Sequence, residues 1–198
     1  MTKTTLADRL ERLPGIPSPQ ADRFVAEIEG GGRTEIQALV DLWLTSSPEL
    51  SRKARGILAE LGPKALDPLL AAPLPKAVDD RVWLIRTLVL HAGQSRQPAA
   101  AWLDKLLDDV RQFIPKPLSA GPEPEEKLPA HRVCDEAYLA ARRLGLGIPR
   151  ESIEGYLLFE HGFFAKTEAE RDVDIRQLKQ SATWTQWIRN HPHEPKGL

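Results

Sequence analysis

Apolar residues along this chain recur every three or four positions, and that spacing predicts helices almost throughout. Leu6, Leu10 and Leu13 share one face of a first helix from about Thr5 to Leu13, ended by Pro14-Gly15. Ser18 and Pro19 offer an N-cap followed by proline in the first turn, where its missing N–H costs nothing. The helix they open carries Phe24, Val25 and Ile28 and stops at Gly30-Gly31-Gly32. A third, from Thr34 to about Ser46, places Ile36, Leu39, Val40, Trp43 and Leu44 on a buried stripe. Clusters of β-branched residues that would signal strands are nearly absent, and most prolines fall between the periodic segments rather than inside them.

From there the pattern repeats. Leu50, Ala54, Ile57, Leu58 and Leu61 form a stripe closed by Gly62-Pro63. Val82, Ile85, Leu88, Val89 and Ala92 form another, closed by Gly93. Val133, Ala137, Ala140, Ala141 and Leu144 form a third, closed by Gly145. Aligned on those glycines, Ala54, Ile85 and Ala137 coincide, as do Leu58, Val89 and Ala141. More variable partner helices lie between, over KALDPLLAAPL and QPAAAWLDKLLDDVRQFI. The glycine spacing is 31 residues and then 52, stretched by the proline- and glutamate-rich insertion PKPLSAGPEPEEKLP. That insertion predicts an exposed excursion without helix.

The segments LGPKALDPLLAAP and DDRVWLIRTLVLHAG resemble the HEAT family of helical repeats. Asp67-Pro68-Leu69-Leu70 stands for the proline-bearing first helix, Asp79-Asp80 for the turn, and Arg81-Val82 for the start of the second helix. The family usually has the Val/Arg order reversed. The resemblance implies an all-α fold of HEAT-like antiparallel helix pairs, an α-α superhelix, with a helical C-terminal cap. One domain over residues 1–198 is expected. Capping helices would occupy 1–33 and HEAT-like pairs 34–147, with the Pro-rich insertion at 115–130. A helical cap and frayed tail would fill 148–198. In the cap, Pro149 opens a helix bearing Ile153, Tyr156, Leu157 and Phe159. Thr167 and Glu170 form a capping box that starts a long helix reaching about Arg189.

The formal charge of −1 gives no long-range field to recruit nucleic acid or an acidic membrane. A single cysteine excludes an intrachain disulfide and suits a reducing compartment. The N-terminus lacks the apolar core of a signal peptide, and the richest apolar run, VWLIRTLVL, is too short to span a bilayer. A cytoplasmic location follows as the expectation, with no membrane partner, and the Ala, Leu, Arg and Pro usage suggests a bacterial source.

Candidate chemistry gathers at Arg132 to Gly145, where Cys134 stands beside Asp135 and Glu136, three residues after His131. That spacing can place His131 and Cys134 on one helix face, but no second His/Cys pair completes a zinc site. Cys134 aligns with Ser51 and Val82, a small or apolar slot, so packing is its expected role, with metal binding or nucleophilic catalysis as the alternative. His91, His161, His191 and His193 are scattered, and no phosphate loop, HExxH or GxSxG occurs. No catalytic residue, metal or cofactor is therefore assigned. A different constellation is basic: Arg52, Arg55, Trp83, Arg86, Arg142 and Arg143 lie on the repeating helices, where recurring positions form a ladder. They are the candidate partner-binding residues. The expected function is a non-catalytic scaffold that presents a helical-repeat surface to another protein. The alternatives are nucleic-acid binding through the arginines, or an enzyme using an unrecognised carboxylate or Cys134.

Overall fold

The computed structural model of the protein describes residues 4–14, 17–91, 96–114, 130–144 and 153–190. It is mostly helical, with a single two-residue strand pair among those residues. The chain divides into two compact units, one within Met1–Leu74 and one within Pro75–His193.

The first unit holds α1 (Leu6–Glu11), α2 (Pro19–Gly30), α3 (Gly32–Thr45), α4 (Pro48–Leu61), a 3-10 turn (Gly62–Ala65) and α5 (Leu66–Ala71). The caps are the local ones that the sequence spells out. Thr5 and Asp8 form a capping box on α1, while the Ser18 and Ser47 hydroxyls accept end N–H groups of α2 and α4. Lys53 donates to the carbonyls of Glu11 (2.7 Å) and Leu13 (2.9 Å), closing the end of α1 with a cation. Gly31 alone separates α2 from α3, and Gly32 follows at φ 69°, a left-handed geometry that a side chain would strain. Gly62 ends α4 at φ 56° and ψ −130°, a combination reserved for glycine. The stripes on α3 and α4 pack face to face, with Leu39, Val40, Trp43, Ala54, Ile57 and Leu58 buried. Each buried leucine or isoleucine there contributes about 1.5–3 kcal/mol.

The second unit holds α6 (Val78–His91), α7 (Arg96–Asp104), strands β1 (Gln112–Phe113) and β2 (His131–Arg132), α8 (Val133–Arg143), α9 (Ile153–Phe164), α10 (Glu168–Gln180) and α11 (Ala182–Asn190). Helix α8 is its centre: every residue from Val133 to Ala141 is buried, and α6, α7 and α10 pack around it. Gln112 pairs with Arg132 and Phe113 with His131 in an antiparallel ladder.

Three expectations are corrected here. The helix predicted over residues 97–114 stops at Asp104, and the chain turns because its carbonyls are needed elsewhere. Arg111 O and Asp109 O accept the N–H groups of Val133 (3.0 Å) and Cys134 (2.9 Å), filling the role of a side-chain cap on α8. His131 accordingly belongs to β2 and does not share a helix face with Cys134. The long helix expected from Thr167 to Arg189 breaks at Ser181, which takes an extended conformation. Its hydroxyl accepts the N–H of Trp184 at 3.3 Å, and the indole turns inward to donate to Asp104 at 2.9 Å. Pro149, Gly93, Gly145 and the insertion at 115–129 lie outside the described residues.

Candidate functional site

The stretch around Cys134 is built by the β2–α8 junction. Arg132 sits at the N-cap position with an extended backbone, so its side chain reaches forward over the first turn of the helix. Its guanidinium donates twice to Asp135, Nε to Oδ2 at 3.1 Å and Nη2 to Oδ1 at 2.8 Å. Asp135 is 0% exposed. On its other side Arg171 of α10 brings Nε to 3.2 Å from Oδ2, off the N–H direction, so this is an ion contact rather than a hydrogen bond. Asp172 holds the far edge of Arg132 at 2.9 Å, with Glu168 at 3.8 Å. The hydrogen bonds to Asp135 keep Arg132 firmly charged by raising its pKa. A carboxylate in the first turn of α8 also sits where the helix dipole favours it.

Cys134 is buried beside this cluster, with Sγ 4.0 Å from Asp135 Oδ1. Burial first, and then the Asp135 carboxylate, push its thiol up to about 11. A nucleophile or metal ligand needs the thiolate, so this environment works against both roles. Ser51, Val82 and Cys134, equivalent in the glycine alignment, are all buried. No group of three or more His, Cys, Asp or Glu among the described residues converges on a metal-sized point.

A second cluster lies beside the first. Glu136 accepts from Arg86 at 3.2 Å and lies 3.5 Å from His131 Nδ1, which is too poorly aligned to donate. Burial pushes the Glu136 carboxyl up, but the polar contact with His131 and the charge of Arg86 outweigh it and hold it below 4.5. The His131 ring stacks on Phe164 at 3.9 Å and meets the edge of Phe113 at 5.9 Å. Glu160 moves the other way, raised by burial and then by the neighbouring Glu136 charge.

At the far end of α8 the surface opens into a groove of about 270 Å³ lined by Tyr138, Arg142, Asp174, Gln177, Leu178, Ser181 and Thr183. Its walls are α8, α10 and the start of α11. The Tyr138 ring stacks on Phe163 at 4.8 Å, which fixes it in place. Burial and then Asp174 raise its pKa, so the hydroxyl stays protonated. Asp174 is held by Lys166 at 2.5 Å. Arg142 has its guanidinium carbon 5.9 Å from the Phe159 ring centre and its Nε buried without a partner. No carboxylate among the described residues comes within ion-pair distance of it.

The six candidate residues are distributed over both units. Arg52 and Arg55 lie on α4 of the first, and Trp83, Arg86, Arg142 and Arg143 on α6 and α8 of the second. Arg86 is engaged by Glu136, and Arg55, Trp83 and Arg143 also have partners. On α8 the register of Arg55 and Arg86 falls on Tyr138, and that of Arg52 and Trp83 falls on buried Asp135. The structure brings Arg142 into the groove instead. The Asp135 cluster escaped sequence reasoning, because Arg171 lies 36 residues from Asp135 and no short-range spacing links them. The i, i+3 spacing of Arg132 and Asp135 was the available signal. The chain matches no protein-family model, no curated protein and no solved structure. No helix among the described residues is long and apolar enough to cross a membrane.

Proposed function

We propose that the protein is a non-catalytic module that binds another protein through a surface built on stacked helix pairs. The carrying observation is a pair of exposed aliphatic side chains. Val110 and Ile114, 65% and 71% exposed, flank the β1 strand, while Phe113 within it turns inward to His131. Large exposed aliphatics on either side of a short strand suit burial against a partner chain.

The HEAT-like part of the proposal draws support from the packing order within each unit. Within the first unit α3 packs on α4 and α5, and within the second α8 packs on α6 and α7, the neighbour packing that helical repeats use. The nucleic-acid alternative draws less support, because Arg81, Arg86, Arg111, Arg132 and Arg171 are each committed to a carboxylate.

The test is partner capture from extract of the source cells, with the wild type and a Val110→Ser/Ile114→Ser variant as baits. A protein recovered by the first and lost by the second is the expected result. Equal recovery on both baits would remove this surface from the proposal, and salt-sensitive nucleic acid on both would replace the reading.

A further inference from the structure

We propose that the groove between α8, α10 and the start of α11 is a carboxylate-binding site, with Arg142 as the anchoring cation. The inference rests on the partner-binding reading and names the chemistry by which one segment of a partner would be held.

Three observations point the same way. Arg142 projects a guanidinium that nothing among the described residues neutralises, with its Nε already out of water and unpartnered. The guanidinium lines the groove, and a bidentate oxyanion is the group that its planar fork fits. Around it stand further donors: the Tyr138 phenol, the Gln177 amide, and the Ser181 and Thr183 hydroxyls. Leu178 supplies apolar wall for the carbons of a short side chain.

The lining also decides which anion fits. Asp174 faces the same groove, and Lys166 at 2.5 Å offsets its charge. Counting Arg142, the site holds an excess of one positive charge, which a monoanion balances. A phosphate, with nearly two charges at neutral pH, would be pressed against Asp174. A volume of about 270 Å³ admits one side chain or chain end and is too small for a nucleotide. A carboxylate can come from an aspartate or glutamate side chain or from a chain terminus, and both present the same two oxygens.

The test is a titration of the purified full chain, followed by NMR on the arginine Nε–H signals, that of Arg142 being assigned by its loss in an Arg142→Lys variant. One arm uses N-acetylglutamate α-amide, which offers a side-chain carboxylate. A second uses N-acetylalanine, which offers a terminal one. The controls are N-acetylglutamine amide and inorganic phosphate. A saturable shift of the Arg142 signal by either carboxylate, absent with the neutral amide, is expected, and the stronger arm names the source. Backbone amides of Gln177 and Thr183 should move with it. In Arg142→Gln those amide shifts should need about tenfold more ligand or more. Arg142→Lys keeps the charge without the fork and should also bind more weakly. Both variants should keep the wild-type far-UV spectrum, since Arg142 is partly exposed. No saturable shift, an equal response to the neutral amide, or tighter binding of phosphate would overturn the proposal. Failure here with capture still lost in Val110→Ser/Ile114→Ser would sink the carboxylate site alone. Carboxylate binding with no partner captured would sink the broader reading and leave the site standing.

Discussion

The two ends of helix α8 hold arginines in opposite circumstances. At its N-terminal end Arg132 meets Asp135 and Asp172, and Arg171 closes on the same buried aspartate from α10. Ten residues on from Arg132, in the last turn, Arg142 has an aromatic ring for company and no carboxylate among the described residues. Both ends are polar and both are walled by α10, yet one is filled from within the chain and the other is open. The difference teaches where to look for function in a helix buried along most of its length. Charges satisfied by the chain itself hold the elements in place, and a charge left over faces something outside.

Breaking the matched end should have the largest effect. Asp135→Ala leaves two buried guanidinium groups against each other, a loss on the order of 3–5 kcal/mol that urea unfolding would register. Replacing Arg132, Asp135 and Arg171 together by apolar residues of similar size should recover most of that loss. A triple variant as unstable as Asp135→Ala would show that the cluster does more than balance charge.

A smaller effect comes through pH. The folded-state pKa of Glu136 lies below its ordinary 4.5, so its stabilisation is present above about pH 4.5 and fades as pH falls through the lowered value. Glu160, raised in the fold, works in the opposite sense and gains stability as pH drops. Glu136→Gln should therefore flatten the acid limb of stability, measured as the urea midpoint against pH. An unchanged acid limb would mean that other carboxylates set it.

Next in size is the start of α10, whose first turns carry Glu168, Arg171 and Asp172 to the cluster. Thr167→Ala removes one half of the Thr167–Glu170 capping box and should cost about 1 kcal/mol. Hydrogen exchange of the first α10 amides should quicken with it. Smallest of all is Arg142→Gln, which should change stability by less than about 0.5 kcal/mol. A large destabilisation there would erase the contrast between the two ends.

Much of the fold was legible in the sequence because it is local. Ser18 and Thr167 announce their helices by hydrogen bonds that span three residues, and the stripes through Trp43, Leu58 and Ile85 mark buried faces. What was illegible depends on partners far along the chain. Nothing near Asp104 says that α7 must end so that Asp109 and Arg111 can serve the amides of α8, and nothing near Ser181 says that Trp184 will turn back to Asp104. The stripe on α8 was read as one face of a two-sided helix, whereas Asp135 and Glu136 on its other side are buried too. The groove was half legible. Arg142 was picked out for its charge, but the residues that surround it, Tyr138, Asp174 and Thr183, come from three separate elements.

The short ladder between β1 and β2 has one more consequence. Phe113 and His131, 18 residues apart in the sequence, are paired with each other. These two positions are thus tied a few ångströms apart by backbone pairing, whatever the number of residues between them in the sequence. Doubling that number would cost only about 0.6 kcal/mol in closure entropy. The ladder is a built-in port: length can drift there over generations, and a foreign sequence could be spliced in, while the helices on either side keep their places.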